Sequence, residues 1–376
     1  MRSAWLEIDL SALSHNLKEI RKIVGPQTGI IAISKCNAYG HGAVAVARHA
    51  LANGCCMAAV ALIQEGLELR EAGIDAPVLV LGAADPEEAP LYVEHGIHAA
   101  VGNLEFARAL SAAAAKAGRP GLCHLKIDSG MGRHGVRRED VETFGAALRE
   151  LPGLAINGVF SHFACSTADC DYTNGQREIF VEAVPKLEKV LGFRIPMHHL
   201  ANSGGILRHP DSHLDAVRPG ALLFGIASRG SGEYYPGARQ VMSLKARVVF
   251  TKHIHKGESV GYFRTYVSPE DTTTAIVPLG YGDGYPRALS NKAEVLIHGQ
   301  RCPVVGRISM DCLVVSTGCL GDVQVGDEVV LMGRQGQDVI TAGELAEHAD
   351  TIVQEICSRM STRLPRVYLE STDQGN

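Results

Sequence analysis

Hydrophobic positions along the chain fall into two regimes. From Ile30 to about Gly225, short all-apolar runs alternate with stretches whose apolar residues recur at helical spacing. The runs begin near Ile30, Met57, Val78, Ile97, Leu122, Ile156, Met197 and His213. A strand that is apolar at successive positions is covered on both faces, which is how strands of parallel sheets read. Helical patterns fill most of the gaps, over Ala43 to Ala50, Asn103 to Lys116, Glu139 to Glu150 and Tyr172 to Leu191, mostly followed by Gly or Pro. Eight strand–helix units predict an α/β fold with an N-terminal TIM-type (β/α)8 barrel; a doubly wound sheet is the alternative.

Beyond about Tyr235 the texture changes. Val248 to Phe250, Thr274 to Val277, Glu294 to Ile297 and Glu328 to Leu331 are short branched-residue runs separated by Lys-Gly-Glu, Gly-Asp-Gly and Gly-Asp-Glu turns. This predicts a C-terminal, mostly-β domain over residues 236–376, with residues 1–235 forming the barrel. Two helical patterns, Ala342 to Ala349 and Thr351 to Thr362, sit near its end. No low-complexity linker separates the halves, so close packing is expected.

Composition narrows the chemistry. The 376 residues are 46% hydrophobic and 20% charged, which is ordinary for a globular protein of two domains. A net charge of −5 argues against nucleic acid or an anionic membrane as partner and for a small-molecule substrate. Ten cysteines are scattered without a Cys-x-x-Cys, pointing to reduced thiols and a cytoplasmic location. The first residues lack the apolar core of a signal peptide, and no stretch reaches the ~18–20 apolar residues of a membrane helix.

If the barrel forms, the residues after each strand share one mouth. Lys35 and Tyr39 follow the first strand, in a Gly-punctuated turn where an amine can hold an aldehyde cofactor as a Schiff base. Lys126, Asp128, Met131 and Arg133 follow the fifth, His162 the sixth, Asn202 and Ser203 the seventh, and Arg218 and Gly220 the eighth. Asn202-Ser203-Gly204-Gly205 opens a short helix whose free amides suit an anion, and Gly220 lets backbone approach an oxygen. Both sit where barrels place phosphate. Gly130-Met131-Gly132-Arg133-His134-Gly135 fits the dinucleotide fingerprint, but it lies in the fifth unit, and Arg133 is better suited to grip a carboxylate or phenolate oxygen. His198-His199 and His253-x-His255 lack a carboxylate or Cys at metal spacing, so no metal is assigned.

Taken together, these segments resemble the pyridoxal-phosphate-dependent alanine racemases over nearly the whole chain. The matching segments are Ser34 to Gly42, Asp128 to Arg133, Ser161 to Ala164, Asn202-Ser203, Val217 to Gly220, Val260 to Tyr262, Gly280 to Arg287 and Gly306 to Asp311. The resemblance implies a homodimer with shared active sites, pyridoxal 5'-phosphate as cofactor, and conversion of L- to D-alanine for peptidoglycan. It implies that Lys35 forms the Schiff base and acts as one acid–base, and that Tyr262 of the partner subunit's β domain acts as the other. Arg218 would bond the pyridine nitrogen, and His162 would link Arg218 to Tyr262. Arg133 would contact the phenolic oxygen and the substrate carboxylate. Tyr39, Ser203, Gly220 and Ala221 would hold the phosphate beside Asn202. Tyr281 and Met310 would line the partner's substrate entrance, and Lys126 would be a candidate for carbamylation, orienting Arg133.

Racemisation needs a proton removed from one face of Cα and returned on the other, so two bases on opposite faces are required. Lysine and tyrosine ordinarily titrate near ~10, so the site must lower both. Positive charge from the His162–Arg218 chain is the expected source for the tyrosine. A guanidinium stays protonated, disfavours a proton on the pyridine nitrogen and so weakens the electron sink. Two departures stand out: Thr362 replaces a phosphate-binding tyrosine of some relatives, and Phe263-Arg264 follow Tyr262 where small residues are common. Racemisation of serine or another small amino acid, decarboxylation on a similar architecture, and a non-catalytic cofactor carrier are the alternatives.

Overall fold

Every predicted strand of the barrel forms, and side-chain alternation decides what each buries. The computed structural model describes residues 2–226 and 235–370. Its first strand, β1 (Ala4–Asp9), lies outside the barrel. The barrel strands are β2 (Gly29–Ile33), β3 (Met57–Val60), β4 (Val78–Val80), β5 (His98–Val101), β6 (Gly121–Asp128), β8 (Leu154–Phe160), β9 (Met197–His199) and β10 (Ala216–Val217), with a short β7 (Val136–Arg137) beside the end of β6. All pair in parallel, and the β5–β6 and β10–β2 pairings close the ring. The doubly wound alternative is thereby excluded. Ile30 and Ala32 pack outward against the helices, while Ile31 and Ile33 join Met57, Ala59, Leu79 and Ala216 inside. The other half of the interior is polar: His98, His124, Lys126, His199 and Arg218 are all buried.

Helices form where the apolar spacing places them. Asn103 caps Leu104–Ala117 by accepting the N–H of Phe106 at 2.8 Å, and Gly118 ends it in the left-handed region. The longest helix, Cys170–Leu191, starts under the Asp169 cap. No helix among the described residues is long and apolar enough to cross a membrane.

The second domain is built on a seven-stranded sheet from β11 (Met242–Arg247), β16 (Glu294–Ile297), β17 (Gln300–Pro303), β19 (Glu328–Gln335), β20 (Asp338–Ile340) and β21 (Arg366–Leu369), together with β1. A three-stranded sheet holds β12 (Phe250–Ile254), β15 (Thr272–Val277) and β18 (Leu313–Ser316), and a hairpin holds β13 (Ser259–Val260) and β14 (Tyr266–Val267). β1 lies between β11 and β21, antiparallel to the first and parallel to the second. The strand nearest the N-terminus therefore belongs to the β domain's sheet, although the 1–235 division leaves it with the barrel in sequence. Val248 and Val249, expected within a strand, form the break between β11 and β12.

The domains meet at the turn after β2. Cys36, Asn37, Ala38 and Tyr39 all have φ between 51° and 53°, a left-handed turn that costs L-residues roughly 1–2 kcal/mol each. Gly40 continues it at φ 82°, and a Cβ there would overlap the carbonyl oxygen of Cys357, on the helix Val353–Ser358 of the β domain. Arg366 donates to the Gly40 carbonyl at 2.8 Å and to the carbonyls of Met360, Ser361 and Leu364. Gly40→Ala is expected to cost at least ~2 kcal/mol and to loosen the domain contact. The check is thermal melting with proteolysis near residue 357: an unchanged melt would mean the clamp is dispensable.

Candidate active site

The carboxyl ends of the barrel strands enclose a cavity of about 310 Å³, lined by Ile33, Lys35, Tyr39, Leu81, Lys126, Arg133, His134, Phe160, His162, Asn202, Ser203, Arg218, Gly220, Ala221, Ile352 and Gln354. Lys35 stands at the start of the left-handed turn. The carboxylate of Glu65 accepts the N–H of Cys36 at 2.5 Å, Asn37 Oδ1 accepts that of Ala43 at 2.7 Å, and the buried His41 ring stacks on Phe224 with centroids 4.2 Å apart. These contacts hold four unfavourable backbone conformations in place and aim Lys35 at the mouth. Burial lowers the Lys35 pKa, and the positive charges of Arg133 and Arg218 lower it further.

Arg218 is buried and has no carboxylate partner among the described residues. One terminal nitrogen bonds His199 Nδ1 at 2.8 Å; the other donates to the carbonyls of Ser161 at 2.7 Å and Leu200 at 3.0 Å and lies 3.5 Å from His162 Nδ1. Burial pulls its pKa down to about 9, so it stays cationic at neutral pH. His199 Nε2 in turn bonds His124 Nδ1 at 2.8 Å, and the His124 ring lies 5.3 Å from that of His98. Burial, then His98 and Arg218 beside it, hold His124 down to about 3, while burial and Arg70 hold His98 down to about 4. His162 and His199 are pushed well below the usual histidine range by burial first and Arg218 second. His162 is thereby held towards its neutral form, so the positive charge of the His162–Arg218 pair resides on Arg218.

Lys126 points into the same cavity from β6. Its Nζ is buried without a hydrogen-bond partner, 4.7 Å from the centroid of Phe160. Burial and the neighbouring Arg218 and Arg133 push its pKa well below the usual lysine value. The Asp128 carboxylate accepts the N–H of Gly130 at 3.0 Å and of Gly132 at 3.1 Å, shaping the turn that carries Arg133. At the far wall, Asn202 Oδ1 caps Ser203–Arg208 through Gly205 N–H at 2.9 Å. Ser203 Oγ accepts the N–H groups of Gly220 at 3.0 Å and Leu222 at 3.2 Å, which leaves its hydroxyl hydrogen to donate outward. At Gly220 a Cβ would lie 2.8 Å from the Tyr39 hydroxyl, so a side chain there would have to displace the Tyr39 ring.

Ten of the sequence-predicted residues thus meet in one cavity. Tyr262, Tyr281 and Met310 do not. They are 65%, 40% and 53% exposed on the β domain, with Tyr281 N–H bonded to Ser309 O and Gly282 N–H to Met310 O. Phe263 and Arg264 follow Tyr262 at φ 62° and 50°, the left-handed region where small residues fit most easily. Thr362 is exposed and lies off the cavity. Ile352 and Gln354 line it instead, from a region more than 300 residues distant in sequence from Lys35 that carries no local signal. Phe160 also lines the cavity, at the end of β8, and is not among the residues expected there from the sequence.

Sequence comparison now meets this geometry. The profile of the alanine racemase N-terminal domain matches residues 8–228, and that of the C-terminal domain matches residues 241–368. The chain belongs to the alanine racemase family. It is 41% identical to the alanine racemase of Desulfovibrio desulfuricans over 370 residues, covering 98% of this chain and 99% of that one. The Symbiobacterium thermophilum alanine racemase is 41% identical over 371 residues, covering 98% and 97%. Among solved structures, alanine racemase from Streptomyces lavendulae superposes with a TM-score of 0.93 at 33% identity, covering 99% and 98%. The Bacillus anthracis alanine racemase, solved with bound L-Ala-P, gives 0.91 at 34% identity, covering 98% and 95%. Like other alanine racemases, the chain is an isomerase with a barrel and a β domain.

The histidine chain gives this alanine racemase family member a predictable acid response. Unfolded histidine titrates near 6.5, whereas His98 and His124 stay neutral to about 4 and about 3 when folded. Between those values the unfolded chain binds more protons, so stability is greatest above pH ~6.5 and falls as the pH drops. The melting temperature should decline from pH 7 towards 4, and His124→Asn should flatten that slope; an identical slope in the variant would exclude the chain as its source.

Proposed function

We propose that the chain interconverts L- and D-alanine by a two-base mechanism with pyridoxal 5'-phosphate as cofactor, and that the D-alanine feeds peptidoglycan. The carrying observation is a cavity at the barrel mouth lined by four basic side chains, Lys35, Lys126, Arg133 and Arg218, and, among the described residues, by no aspartate or glutamate. Such a cavity calls for an anion. The donor set fits this cofactor: a hydroxyl free to donate from Ser203, a Gly220 cradle that a Cβ would fill, and an amine of lowered pKa at Lys35. Tyr39, Ser203, Gly220 and Ala221 would hold the phosphate beside Asn202, with Arg218 at the ring nitrogen. When bound, the cofactor supplies an electron sink for the charge left at Cα after deprotonation.

This chain's residues supply the rest. Lys35 exchanges a proton with one face of Cα; its lowered pKa favours the neutral amine that a base requires. Arg133 grips the substrate carboxylate. Arg218, a fixed cation, keeps the ring nitrogen unprotonated and so limits side reactions. That choice also disfavours decarboxylation, which gains from a protonated ring nitrogen. Tyr262 exchanges the proton on the opposite face, from the partner subunit of a homodimer, with His162 fixing its line to Arg218. The exposed Tyr262, Phe263, Val267, Tyr281 and Met310 support that assembly as an apolar surface awaiting cover. The buried, unpartnered Lys126 amine, its pKa lowered towards the neutral form, supports carbamylation, in which the neutral amine adds to carbon dioxide with loss of a proton and presents a carboxylate to Arg133.

Incubation with L-alanine in deuterated water tests the reading: racemic alanine carrying deuterium at Cα is expected. Release of carbon dioxide would make the chain a decarboxylase, and unchanged L-alanine a carrier. Serine and other small amino acids in the same assay define the substrate range. Lys35→Ala should abolish the visible absorption of the bound cofactor; an unaltered spectrum removes Lys35 from its role. Tyr262→Phe should retain that absorption while lowering turnover by roughly 10²–10⁴-fold. Full turnover in that variant, or in a species that sediments as a monomer, would place the second base elsewhere.

A further inference from the structure

His253-x-His255 lacks a carboxylate in sequence, and the fold supplies one. The two histidines flank the buried Ile254 at the end of β12, so both rings leave the same solvent-facing side of the strand. β12 is the edge strand of its sheet and pairs antiparallel with β15, Ile254 opposite Thr272. One step further along that register, Asp271 stands opposite His255. His255 Nδ1 lies 3.5 Å from Asp271 Oδ2, the two imidazole centroids are 4.9 Å apart, and one ligand atom from each of the three residues lies within 4.8 Å of the others. Asp271 Oδ1 accepts the N–H of Lys256 at 2.8 Å, an outer contact of the kind that orients a ligating carboxylate.

We propose that His253, His255 and Asp271 form a surface site for one borderline divalent transition-metal ion, with Zn²⁺ as the representative. Two imidazole nitrogens and one carboxylate oxygen match zinc, which binds such donors at about 2.0–2.2 Å. Calcium and magnesium ask for oxygen donors throughout, so this set selects against them. Closing the three atoms onto one ion needs only rotation of exposed side chains, since the strand pairing already fixes the backbone. Water fills the remaining position. The ion would staple β12 to the start of β15, at the base of the hairpin that carries Tyr262. The site shares no residue with the barrel cavity and does not depend on the racemase reading. A plain surface ion pair between His255 and Asp271 explains two of the three residues and leaves His253 without a part, so His253 is the discriminating position.

The full-length protein, treated with chelator and dialysed, is titrated with Zn²⁺ by calorimetry and with Co²⁺ in the visible. One ion per chain is expected, with d–d bands but no sulfur-to-cobalt charge transfer, and a higher melting temperature at saturating zinc. His253→Ala, His255→Ala and Asp271→Asn should each weaken binding by at least ~10-fold while alanine turnover stays unchanged. No binding, equal binding by His253→Ala, or a thiolate charge-transfer band from one of the ten cysteines would each overturn the site.

Discussion

A guanidinium buried at the heart of the barrel with no acid beside it sets the terms for everything around it. Removing a charge from water costs several kcal/mol unless its hydrogen bonds are replaced, and Arg218 replaces them with neutral acceptors: the carbonyls of Ser161 and Leu200 and the ring of His199. Those acceptors come from the ends of β8 and β9, and Arg218 itself follows β10, so the cation also ties these three neighbouring strands together at the mouth. His199 can accept only while neutral, and its own partner, His124, is neutral for the same reason. The polar half of the barrel interior is thus a chain of rings ordered by one positive charge. Because no protein anion cancels that charge, the cavity keeps a standing demand for one.

The β domain answers a different problem. Lys35 reaches the mouth through four consecutive residues in a conformation that L-amino acids avoid, and such a turn persists only if its surroundings over-determine it. Half of that support is local, from Glu65, Asn37 and His41. The other half is the helix Val353–Ser358 pressed against Gly40, and Arg366 bonded to its carbonyl. Arg366 opens β21, which pairs with β1, so both ends of the described chain anchor the sheet that braces the lysine. The same ends grip the loop of Tyr281. Arg2 and Arg363 both pair with the fully buried Asp283, at 2.7 and 3.2 Å, and Arg363 also reaches Asp311 at 2.7 Å, next to Met310.

Much of this is written in local sequence, and the remainder is not, for physical reasons. Parallel strands covered on both faces must be apolar throughout, so β2, β3 and β4 announce themselves in short windows. Their order then places Lys35, Arg133, His162, Ser203 and Arg218 at one mouth, because a parallel barrel has only one carboxyl end. β1 was invisible as a β-domain strand, since its partners lie more than 230 residues away and a half-buried alternating strand reads the same in either domain. Ile352 and Gln354 reach the cavity by domain packing, which no window encodes. The neutrality of His162 depends on three-dimensional distance to Arg218 and on burial, neither of which a motif contains.

The proposed two-base mechanism makes a geometric demand on Tyr262. A reaction that takes a proton from one face and returns it on the other needs a second base across the cavity from Lys35, and within one chain the β domain covers the mouth with Ile352 and Gln354. Tyr262 sits on the separate hairpin of β13 and β14, solvent-exposed, beside a Phe263 that is 84% exposed. On the proposed reading, a phenol so placed would complete a site at the mouth of another copy. In that proposal a twofold pairing would satisfy both sites at once, because a contact bringing one Tyr262 to a partner's Lys35 would by symmetry bring the partner's tyrosine back. The backbone at Phe263 and Arg264 supports this view, since a strained turn that presents an aromatic residue to water gains nothing for an isolated chain.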